Sequence, residues 1–383
     1  MAGMRKFFFV GAAMLALFEL ANVYFIMPMP YSQRWRSIDV AYTLYSWRWA
    51  FRGVACALMA LAMLGTGRPR LGEKIAATIA LIIVAAVAYA ANFVLAADAM
   101  FLQPSTVNMQ PAASNAVEPS RLVVGIRLNG EARAYPVQFI GYHHQVRDVV
   151  AGTPVMVTFC TVCRTGRVFS PAIDGVPQTF RLVGMDHFNA MFEDAETKSW
   201  WRQATGEAIA GPRTGKVLSE IPSEQMTLVQ WLTLYPTSLI MQADPASRDQ
   251  YDTNADYETG KSRSTLTGTN PESWQDKSWV VGITLNGRSR AYDWNQLVRE
   301  RVINDELGGE PLVLILAADS ASFFAYRRPS VDTRFTVSGD RLVAGDRSYD
   351  LAGRSDSGAL TPVFASQEFW HSWREFHSDT DRH

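Results

Sequence analysis

The chain has 383 residues, a formal net charge of −1 and 48% hydrophobic residues. This length exceeds one ordinary domain and predicts two or three units. A charge close to zero, with scattered basic residues, gives no attractive field for nucleic acid, so nucleic-acid-binding classes are excluded. Most of the long apolar runs fall in the first hundred positions. We therefore expect an N-terminal membrane part followed by a larger polar part.

The N-terminal region, residues 1–98, is predicted to be a membrane domain with three transmembrane helices. Their expected bounds are about 7–29, 49–65 and 75–97. A helix needs about 20 mainly apolar residues to cross the hydrocarbon core, and the third run carries no charged residue. Glu19 interrupts the first run. A carboxyl group at this depth either has a function or is protonated or faces another helix.

The basic residues of the short loops predict the orientation. Arg5 and Lys6 precede the first run and Arg68, Arg70 and Lys74 lie between the second and third, whereas Arg34, Arg36 and Arg48 oppose this bias. Basic loops favour the cytoplasmic side, so three crossings put the chain after Ala97 outside. The prediction is an integral protein of a bacterial inner membrane whose C-terminal domain faces the periplasm or the cell exterior. Its expected partners are the lipid bilayer and another periplasmic or membrane protein.

The polar part contains one sequence unit twice. The run V-V-G-I-R-L-N-G-E-A-R-A-Y at 123–135 returns as V-V-G-I-T-L-N-G-R-S-R-A-Y at 280–292, an offset of 157 positions. The predicted fold class is α+β, with a β-rich exoplasmic body of two tandem, pseudo-symmetric repeats behind the transmembrane helices. The predicted segments are a linker over 99–120, a first repeat over 121–244, a polar connector over 245–277 and a second repeat over 278–383.

Turn and capping signals predict individual elements of both repeats. Asn129-Gly130 and Asn286-Gly287 are each typical of a two-residue hairpin turn. Ser223 and Ser366 are each followed by a helical pattern that contains a tryptophan. A helix that closes each repeat is therefore predicted to begin at these serines.

Cys160 and Cys163 form a C-x-x-C motif in the first repeat. The offset of 157 positions aligns them with Ala317 and Ser320 of the second repeat. If the fold required the two thiols, the second repeat should require them as well. The motif therefore predicts chemistry in the first repeat rather than an architectural role.

The motif is compatible with three roles. Thiol–disulfide exchange needs an activated thiolate, for which Arg164 and Arg167 are expected to supply positive charge. Binding of a soft metal, copper or zinc, needs further ligands, for which His187 and Met185 are the candidates beside Cys160 and Cys163. A structural or inert disulfide is the third role, although so short a loop adds little stability. The candidate catalytic residues are the two cysteines, Arg164 and His187.

Other polar and aromatic residues have simpler interpretations. His143 and His144 align with charged residues of the second repeat and are expected on a solvated face. Trp200 and Trp201 are expected in the core.

Two further functional classes stay open. One is a membrane-tethered binding or scaffold protein whose cysteine pair is structural or inert. The other is a hydrolase or transferase that uses Asp186, His187 and Glu207, although no nucleophile-elbow or phosphate-loop motif supports it.

Several motifs give the polar part a family resemblance. They are V-G-I-x-L-N-G-x-x-R-A-Y, P-V-M-V-T-F-C-T-V-C-R-T-G, S-W-W-R-Q-A-T-G-E-A-I-A-G and Q-W-L-T-L-Y-P, and they cover most of residues 121–243. On these residues the chain resembles the bacterial and archaeal family catalogued only as domain of unknown function 3179, whose members are often secreted or membrane-attached. The resemblance implies no particular activity.

The chain departs from that family at two places. The family's turn more typically reads C-P-x-x-G, whereas this chain has C-T-V-C-R-T-G. The family commonly has a serine-asparagine step before a tyrosine-aspartate pair, whereas this chain has Asp186-His187-Phe188-Asn189 and then Phe192-Glu193. Both departures add candidate ligands or acid–base groups.

Overall fold

A computed structural model of the chain describes residues 2–35, 37–65, 70–251 and 255–383. Two of the basic residues that bear on the predicted orientation, Arg36 and Arg68, lie outside the described residues, as does the side chain of Arg5.

The helices of the described ranges are mostly short after the first hundred residues. In chain order they are α1 (Ala2–Tyr24), α2 (Ile38–Ser46), α3 (Arg48–Leu64), α4 (Leu71–Tyr89), α5 (Ala97–Met100), α6 (Val137–His143), α7 (Leu228–Leu234), α8 (Arg248–Tyr251), α9 (Ala255–Glu258), α10 (Trp294–Glu300) and α11 (Trp370–Phe376).

The strands begin only after residue 108. They are β1 (Met109–Pro111), β2 (Leu122–Leu128), β3 (Glu131–Pro136), β4 (Gln145–Val150), β5 (Thr153–Cys160), β6 (Thr165–Phe169), β7 (Ala172–Ile173), β8 (Val176–Pro177), β9 (Phe180–Asp186), β10 (Asn189–Asp194), β11 (Trp200–Arg202), β12 (Ala208–Ala210), β13 (Ser223–Thr227), β14 (Leu239–Met241), β15 (Trp279–Leu285), β16 (Arg288–Asp293), β17 (Val302–Leu307), β18 (Glu310–Leu316), β19 (Phe323–Arg327), β20 (Thr336–Ser338), β21 (Arg341–Ala344), β22 (Arg347–Asp350), β23 (Arg354–Ser355), β24 (Gly358–Ala359), β25 (Ser366–Phe369) and β26 (Asp381–Arg382).

The chain divides into two compact units. The first comprises Met1–Leu102, Phe180–Arg202 and Glu207–Lys216, and the second comprises Gln103–Thr179, Gln203–Gly206 and Val217–His383. Apolar helices at the N-terminus and a β-rich C-terminal body confirm the predicted α+β class.

The first unit contains α1 to α5 and a four-stranded sheet with the order β12-β11-β10-β9. Two of its segments, Lys6–Tyr24 and Leu71–Val94, are long and apolar enough to cross a membrane. The pair α2 and α3 meets the same test only together, and the two helices are bent by 60° at their junction. The predicted span at 49–65 thus corresponds to α3 and is a crossing only if this bent pair counts as one span.

Glu19 forms a polar cluster with residues of two other helices of this unit. Its carboxylate accepts hydrogen bonds from the Arg52 guanidinium at 2.7 and 2.9 Å and from the Asn92 amide at 2.8 Å. Asn92 lies in a π-helical turn over Ala90–Val94, and its amide oxygen accepts from Arg52 at 2.8 Å. A buried carboxylate is stabilised when it is paired and hydrogen-bonded, and Glu19 is paired by this cluster.

The second unit is built mainly from four antiparallel or mixed sheets. Their strand orders are β1-β14-β3-β2-β13, β4-β5-β6, β25-β15-β16-β26 and β17-β18-β19. Gly125 and Gly282 occupy the middle of β2 and β15, where a Cβ atom would lie 2.1 Å from the indole carbons of Trp231 and Trp373. These glycines let the tryptophans of α7 and α11 pack directly on the strands.

The hairpin turns agree with their sequence signals, but the starts of the closing helices do not. Asn129-Gly130 and Asn286-Gly287 have positive φ angles and connect β2 to β3 and β15 to β16. Ser223 begins strand β13, which pairs with β2, and α7 starts only after the N-cap Thr227. Ser366 likewise begins β25, so both predicted starts were wrong because sheet hydrogen bonds override the local helical pattern.

The predicted exposure of two histidines was also wrong. His143 and His144 are buried. The Nε2 atom of His143 lies 2.6 Å from the Tyr251 hydroxyl, and Nδ1 of His144 lies 2.9 Å from the carbonyl oxygen of Phe159. These hydrogen bonds allow two polar side chains to be buried.

Candidate functional site

The two cysteines lie in a tight turn between neighbouring strands. β5 ends at Cys160 and β6 begins at Thr165, and these two residues are Cα partners in the antiparallel pair. We call residues 160–165 the cysteine turn. Neither cysteine is in a disulfide, and both side chains are completely buried. The turn closes through Arg164, whose φ of 57° lies in the left-handed region, which surrounding contacts must stabilise in a non-glycine residue.

Lys277, at the end of the connector, directs its ammonium group at the cysteine turn. Its Nζ atom donates to the carbonyl oxygens of Val162 and Leu266, both at 2.6 Å, and lies 4.7 Å from the centroid of the Phe369 ring. Burial lowers the pKa of Lys277, whereas the negative charge of ionised Cys163 or Cys160 raises it. The ammonium group that binds the cysteine turn therefore comes from a residue 115 positions after Val162 in the chain.

His371, near the start of α11, lies beside the same cation. Its Nε2 atom is 3.2 Å from Lys277 Nζ and 3.2 Å from the carbonyl oxygen of Val162. Burial, together with the charge of Lys277, lowers the pKa of His371 to about 4. The imidazole is therefore neutral near pH 7, and its tautomer decides which of these two groups it bonds.

The pKa of the Cys163 thiol is raised well above its ordinary value. Burial is the largest cause, and the hydrogen bond and charge of the neighbouring Cys160 act in the same direction, whereas Ser372 and Lys277 lower it. The thiol form is thus favoured in the folded chain. Attacking thiols usually have a low pKa and are partly exposed, and buried Cys163 has neither property in this conformation.

Glu368 anchors the cysteine turn through hydrogen bonds to its carboxylate. Its carboxylate accepts from Arg167 Nη2 at 2.8 Å, from Thr165 Oγ1 at 3.1 Å and from Ser372 Oγ at 3.1 Å. All four residues are buried. Arg167 is thus neutralised by a carboxylate and does not provide a free positive charge for the thiols.

Arg164, the other predicted source of positive charge, is bonded to other groups. Its Nε donates to Gln367 Oε1 at 2.8 Å, and its Nη1 and Nη2 donate to the carbonyl oxygens of Tyr257 and Glu258 at 3.3 and 3.1 Å. The guanidinium lies 3.8 Å from the centroid of a Trp279 ring. Arg164 therefore ties α9 of the connector to the cysteine turn, and its catalytic role stays a prediction.

Tyr257 adds an unusual polar group to the site. Its hydroxyl is buried and has no hydrogen-bond partner among the described residues. Burial raises the pKa of Tyr257, Arg164 opposes this, and the charges of Cys160 and Cys163 raise it further. The Tyr257 hydroxyl is thus close enough to both cysteines for their charges to affect its pKa.

His187 occupies a different hairpin, at the end of β9 in the first unit. Its Nδ1 lies 2.8 Å from Asp186 Oδ1, and Arg202 donates to Asp186 Oδ2 at 2.7 and 2.9 Å and to Glu207 at 3.3 Å. His187 and Phe188 both have positive φ angles, 49° and 65°. Positive φ angles at both central residues are the geometry of a two-residue type I′ hairpin turn, here between the paired residues Asp186 and Asn189. The use of this group by a hydrolase or transferase stays a prediction.

The predicted metal ligands belong to both units. Met185 and His187 lie in the first unit and Cys160 and Cys163 in the second, so their sharing of one site stays a prediction. In the described part of the chain, no group of three or more His, Cys, Asp and Glu side chains is arranged to hold a metal. Binding of copper or zinc by the two sulfurs stays a prediction.

Several residues of the site were missed from the sequence. Lys277, Tyr257, His371 and Ser372 are distant from the motif in the chain. His371 and Ser372 lie in the helical pattern after Ser366, but that pattern does not link them to the cysteines. Lys277 lies directly before the predicted second repeat, which is only a weak signal. Trp200 and Trp201, predicted in the core, are buried.

The comparisons with known proteins identify a family without an activity. The model of the family described as protein of unknown function (DUF3179) matches residues 102–380, which include both cysteines and every residue described around them. Neither the curated proteins nor the solved structures contain a match. Since the match covers well over half of the chain, the protein belongs to the DUF3179 family.

Proposed function

We propose that Cys160 and Cys163 form a dithiol–disulfide couple that exchanges electrons with a disulfide of a partner protein. The observation that carries this proposal is the contact between two buried thiols, not joined in a disulfide, beside the Lys277 ammonium. A buried cation next to a thiol stabilises the thiolate through which exchange proceeds. A purely structural pair has no need of such a group.

The exchange conserves atoms and electrons. A thiolate formed from one cysteine attacks one sulfur of the partner's disulfide, and a mixed disulfide forms as the partner's other thiolate leaves. The second cysteine then attacks the mixed disulfide and releases the partner's second thiol. Cys160 and Cys163 are oxidised to a disulfide, the partner's disulfide is reduced, and the two protons pass to the partner's sulfurs.

Access to the sulfurs requires a local opening because both are completely buried. The connector is bonded to the cysteine turn in two ways: Lys277 donates to the Val162 carbonyl, and the carbonyls of Tyr257 and Glu258 accept from Arg164. We propose that release of these contacts exposes the thiols to the partner.

The arrangement of the chain supports two further parts of the proposal. The elements α6 and α10 have the same spacing of 157 positions as the duplicated runs, as do β4 and β17, which supports an origin of the second unit by duplication. The two apolar helices support membrane attachment. We propose that the residues after Ala97 face the periplasm or cell exterior, where disulfide partners are available.

The test uses the full-length protein in detergent, equilibrated with glutathione redox buffers and then alkylated. Two thiols should be lost together on oxidation, and Cys160→Ser or Cys163→Ser should abolish this step. A midpoint potential above about −300 mV supports an exchanging pair, and a lower one indicates a structural bridge.

Lys277→Met tests the role of the cation. It should move the appearance of thiolate absorbance at 240 nm to higher pH by about one pKa unit, because the positive charge is lost. Lys261→Met, which removes an exposed lysine of the same connector, is the control and should leave the titration unchanged. An unchanged titration in Lys277→Met would contradict the proposal.

Copper(I) binding by the same sulfurs is the second candidate function. A copper(I) ion held by two thiolates carries a net negative charge, which the buried Lys277 ammonium would offset. Anaerobic titration with copper(I) against a chromogenic chelator should give one tightly bound ion per chain if this function is correct. Loss of that ion in Cys160→Ser, with a midpoint potential below about −300 mV, would favour metal handling over exchange.

A further inference from the structure

An open cleft of about 440 Å³ lies in the second unit, beside the turn between β2 and β3. Its lining includes Asn129 and Gly130 of that turn, Leu234 and Pro236 at the end of α7, and Arg354 of β23. Clefts of this size are typical of small-molecule sites. The side chains of the lining therefore indicate which kind of ligand the cleft would hold.

Two arginines of the cleft lie beside one aromatic ring. The guanidinium carbons of Arg127 and Arg354 are 4.9 and 5.5 Å from the centroid of the Tyr235 ring, and all three residues belong to the lining. The tyrosine is buried, whereas both arginines are exposed. A guanidinium over an aromatic face keeps its planar fork of N–H donors for other partners. The ring therefore orients two cations whose donors solvent or a ligand can reach.

The two arginines differ in their partners. Glu224 accepts from Arg127 Nη2 at 3.3 Å and from the Tyr235 hydroxyl at 3.2 Å. The Arg354 guanidinium makes no hydrogen bond and no ion pair with the described residues. Asp350 accepts only from the backbone N–H of Arg354, at 2.8 Å. Glu224 thus offsets one of the two positive charges, and the donors of the other guanidinium stay unused.

The other acidic side chain of the lining is already neutralised. Glu131 accepts from Arg133 Nε at 2.6 Å through one carboxylate oxygen and from the Ala151 N–H at 2.8 Å through the other. Its charge is therefore offset by Arg133, and it does not compensate Arg354. The cleft keeps one positive charge, which favours a ligand with one negative charge.

The chemistry of the lining narrows the ligand further. A guanidinium fork pairs with a carboxylate through two parallel hydrogen bonds. A phosphate group also fits the fork but carries about 1.5 to 2 negative charges near pH 7, more than the cleft balances. Ala132, Leu234 and Pro236 add apolar surface to the lining. A carboxylate attached to an apolar body matches both the charge and this surface.

We propose that this cleft binds a small monocarboxylate with an apolar body. The carboxylate accepts two hydrogen bonds from the Arg354 guanidinium, and the apolar body packs against Leu234 and Pro236. This binding site goes beyond the dithiol function and does not depend on it.

The test measures binding to the full-length protein in detergent by calorimetry. The probe is 3-phenylpropionate, and its control is 3-phenylpropionamide, which has the same body without the charge. We expect one 3-phenylpropionate per chain and binding of the amide at least about 10-fold weaker, because charge-assisted hydrogen bonds are roughly twice as strong as neutral ones. Inorganic phosphate should bind more weakly than 3-phenylpropionate, and tighter binding of phosphate would overturn the proposed ligand class.

Substitutions of Arg354 test the predicted contact. Arg354→Gln removes the charge and the fork and should weaken binding by about 10-fold or more, whereas Arg354→Lys keeps the charge and should weaken it less. Arg347→Gln removes an exposed arginine of β22 outside the lining and should have no effect. A double Cys160→Ser, Cys163→Ser variant should bind as the parent does, which separates this proposal from the dithiol function. Absence of binding by 3-phenylpropionate, or an equal loss in Arg354→Gln and Arg347→Gln, would overturn the proposal.

Discussion

Two turns of the second unit occupy equivalent places in their sheets but are stabilised differently. The cysteine turn connects β5 to β6, and residues 317–322 connect β18 to β19; we call the latter the aspartate turn. In the aspartate turn, Asp319 Oδ1 accepts from the backbone N–H groups of Ala321 and Ser322 at 3.0 and 2.8 Å. Its Oδ2 accepts from Ser322 Oγ at 2.5 Å and from Thr227 Oγ1 at 2.8 Å. One carboxylate therefore stabilises the whole turn.

The cysteine turn has no carboxylate at the corresponding position. Val162 stands at the position of Asp319 in the 157-residue offset, and the turn is held by groups from elsewhere in the chain. Phe369 donates its N–H to the Cys163 carbonyl at 2.9 Å, and Lys277 donates to the Val162 carbonyl. A thiol is only a weak donor and acceptor. The comparison teaches that a turn at this place in the sheet closes without cysteines.

The largest expected contrast between the turns is in thiol accessibility. Ser320 is exposed in the aspartate turn, whereas Cys163 at the matching position is buried. In a chain that carries Cys56→Ala, the thiol introduced by Ser320→Cys should react with Ellman's reagent on the order of 100-fold faster than the native pair. A local opening that costs about 3 kcal/mol accounts for this factor. Equal rates would show that the cysteine turn opens freely and would remove the proposed barrier.

A second contrast is in stability. Asp319→Ala leaves two backbone N–H groups and two hydroxyls without their acceptor and should cost about 2 kcal/mol. Cys163→Ala removes only a small side chain with weak hydrogen bonds and should cost about 1 kcal/mol. Melting of the full-length protein, followed by tryptophan fluorescence, measures both. If Cys163→Ala proves the more destabilising change, the thiols are architectural after all.

Acid should weaken the cysteine turn before the aspartate turn. Burial and Lys277 lower the pKa of His371 to about 4, below its ordinary value of 6.5. The unfolded chain therefore binds more protons than the folded one between these values, and stability falls as the pH falls through this window. The pKa of Asp319 is also lowered, because its hydrogen bonds to Ser322 and Thr227 outweigh burial. Its stabilising contribution is instead lost only as the pH falls below the ordinary aspartate value of about 3.9.

His144 is also buried, has a pKa of about 4 and titrates in the same window. The variant His371→Gln therefore separates the contribution of His371 from that of His144. The variant should lose about 1–2 kcal/mol less stability than the parent between pH 7 and 4.5, within the ceiling of about 1.36 kcal/mol per pKa unit. Parallel melting curves over this pH range provide the measurement. An identical acid dependence in both chains would mean that His371 is not buried as described.

The sequence predicted the parts of this comparison that depend on local patterns. The hairpin turns at Asn129-Gly130 and Asn286-Gly287 follow from side chains that tolerate positive φ. The absence of cysteines at Ala317 and Ser320 likewise followed from alignment of the two runs. Such features need only neighbouring residues.

What the sequence did not predict depends on long-range packing. Lys277 and His371 reach the cysteine turn from 115 and 209 positions beyond Val162, and no local pattern marks them. Ser223 begins a strand because β2 is available as a partner, which a helical pattern read alone could not reveal. The partners predicted for the cysteines, such as His187, are therefore nearer to them in the sequence than Lys277 and His371 are.

The smallest expected contrast comes from a matched pair of hydroxyls. Thr165 and Ser322 are 157 positions apart, and each ends its turn. Ser322→Ala removes a donor to Asp319 and also the acceptor of the Thr227 N–H, so it should cost about 1.5 kcal/mol. Thr165→Val removes one donor to Glu368, which keeps its bonds to other side chains, and should cost about 0.5–1 kcal/mol. The melting temperatures of the two variants test this order. If Thr165→Val is the more destabilised variant, the cysteine turn is stabilised by its own hydroxyl rather than by the groups of the connector and α11.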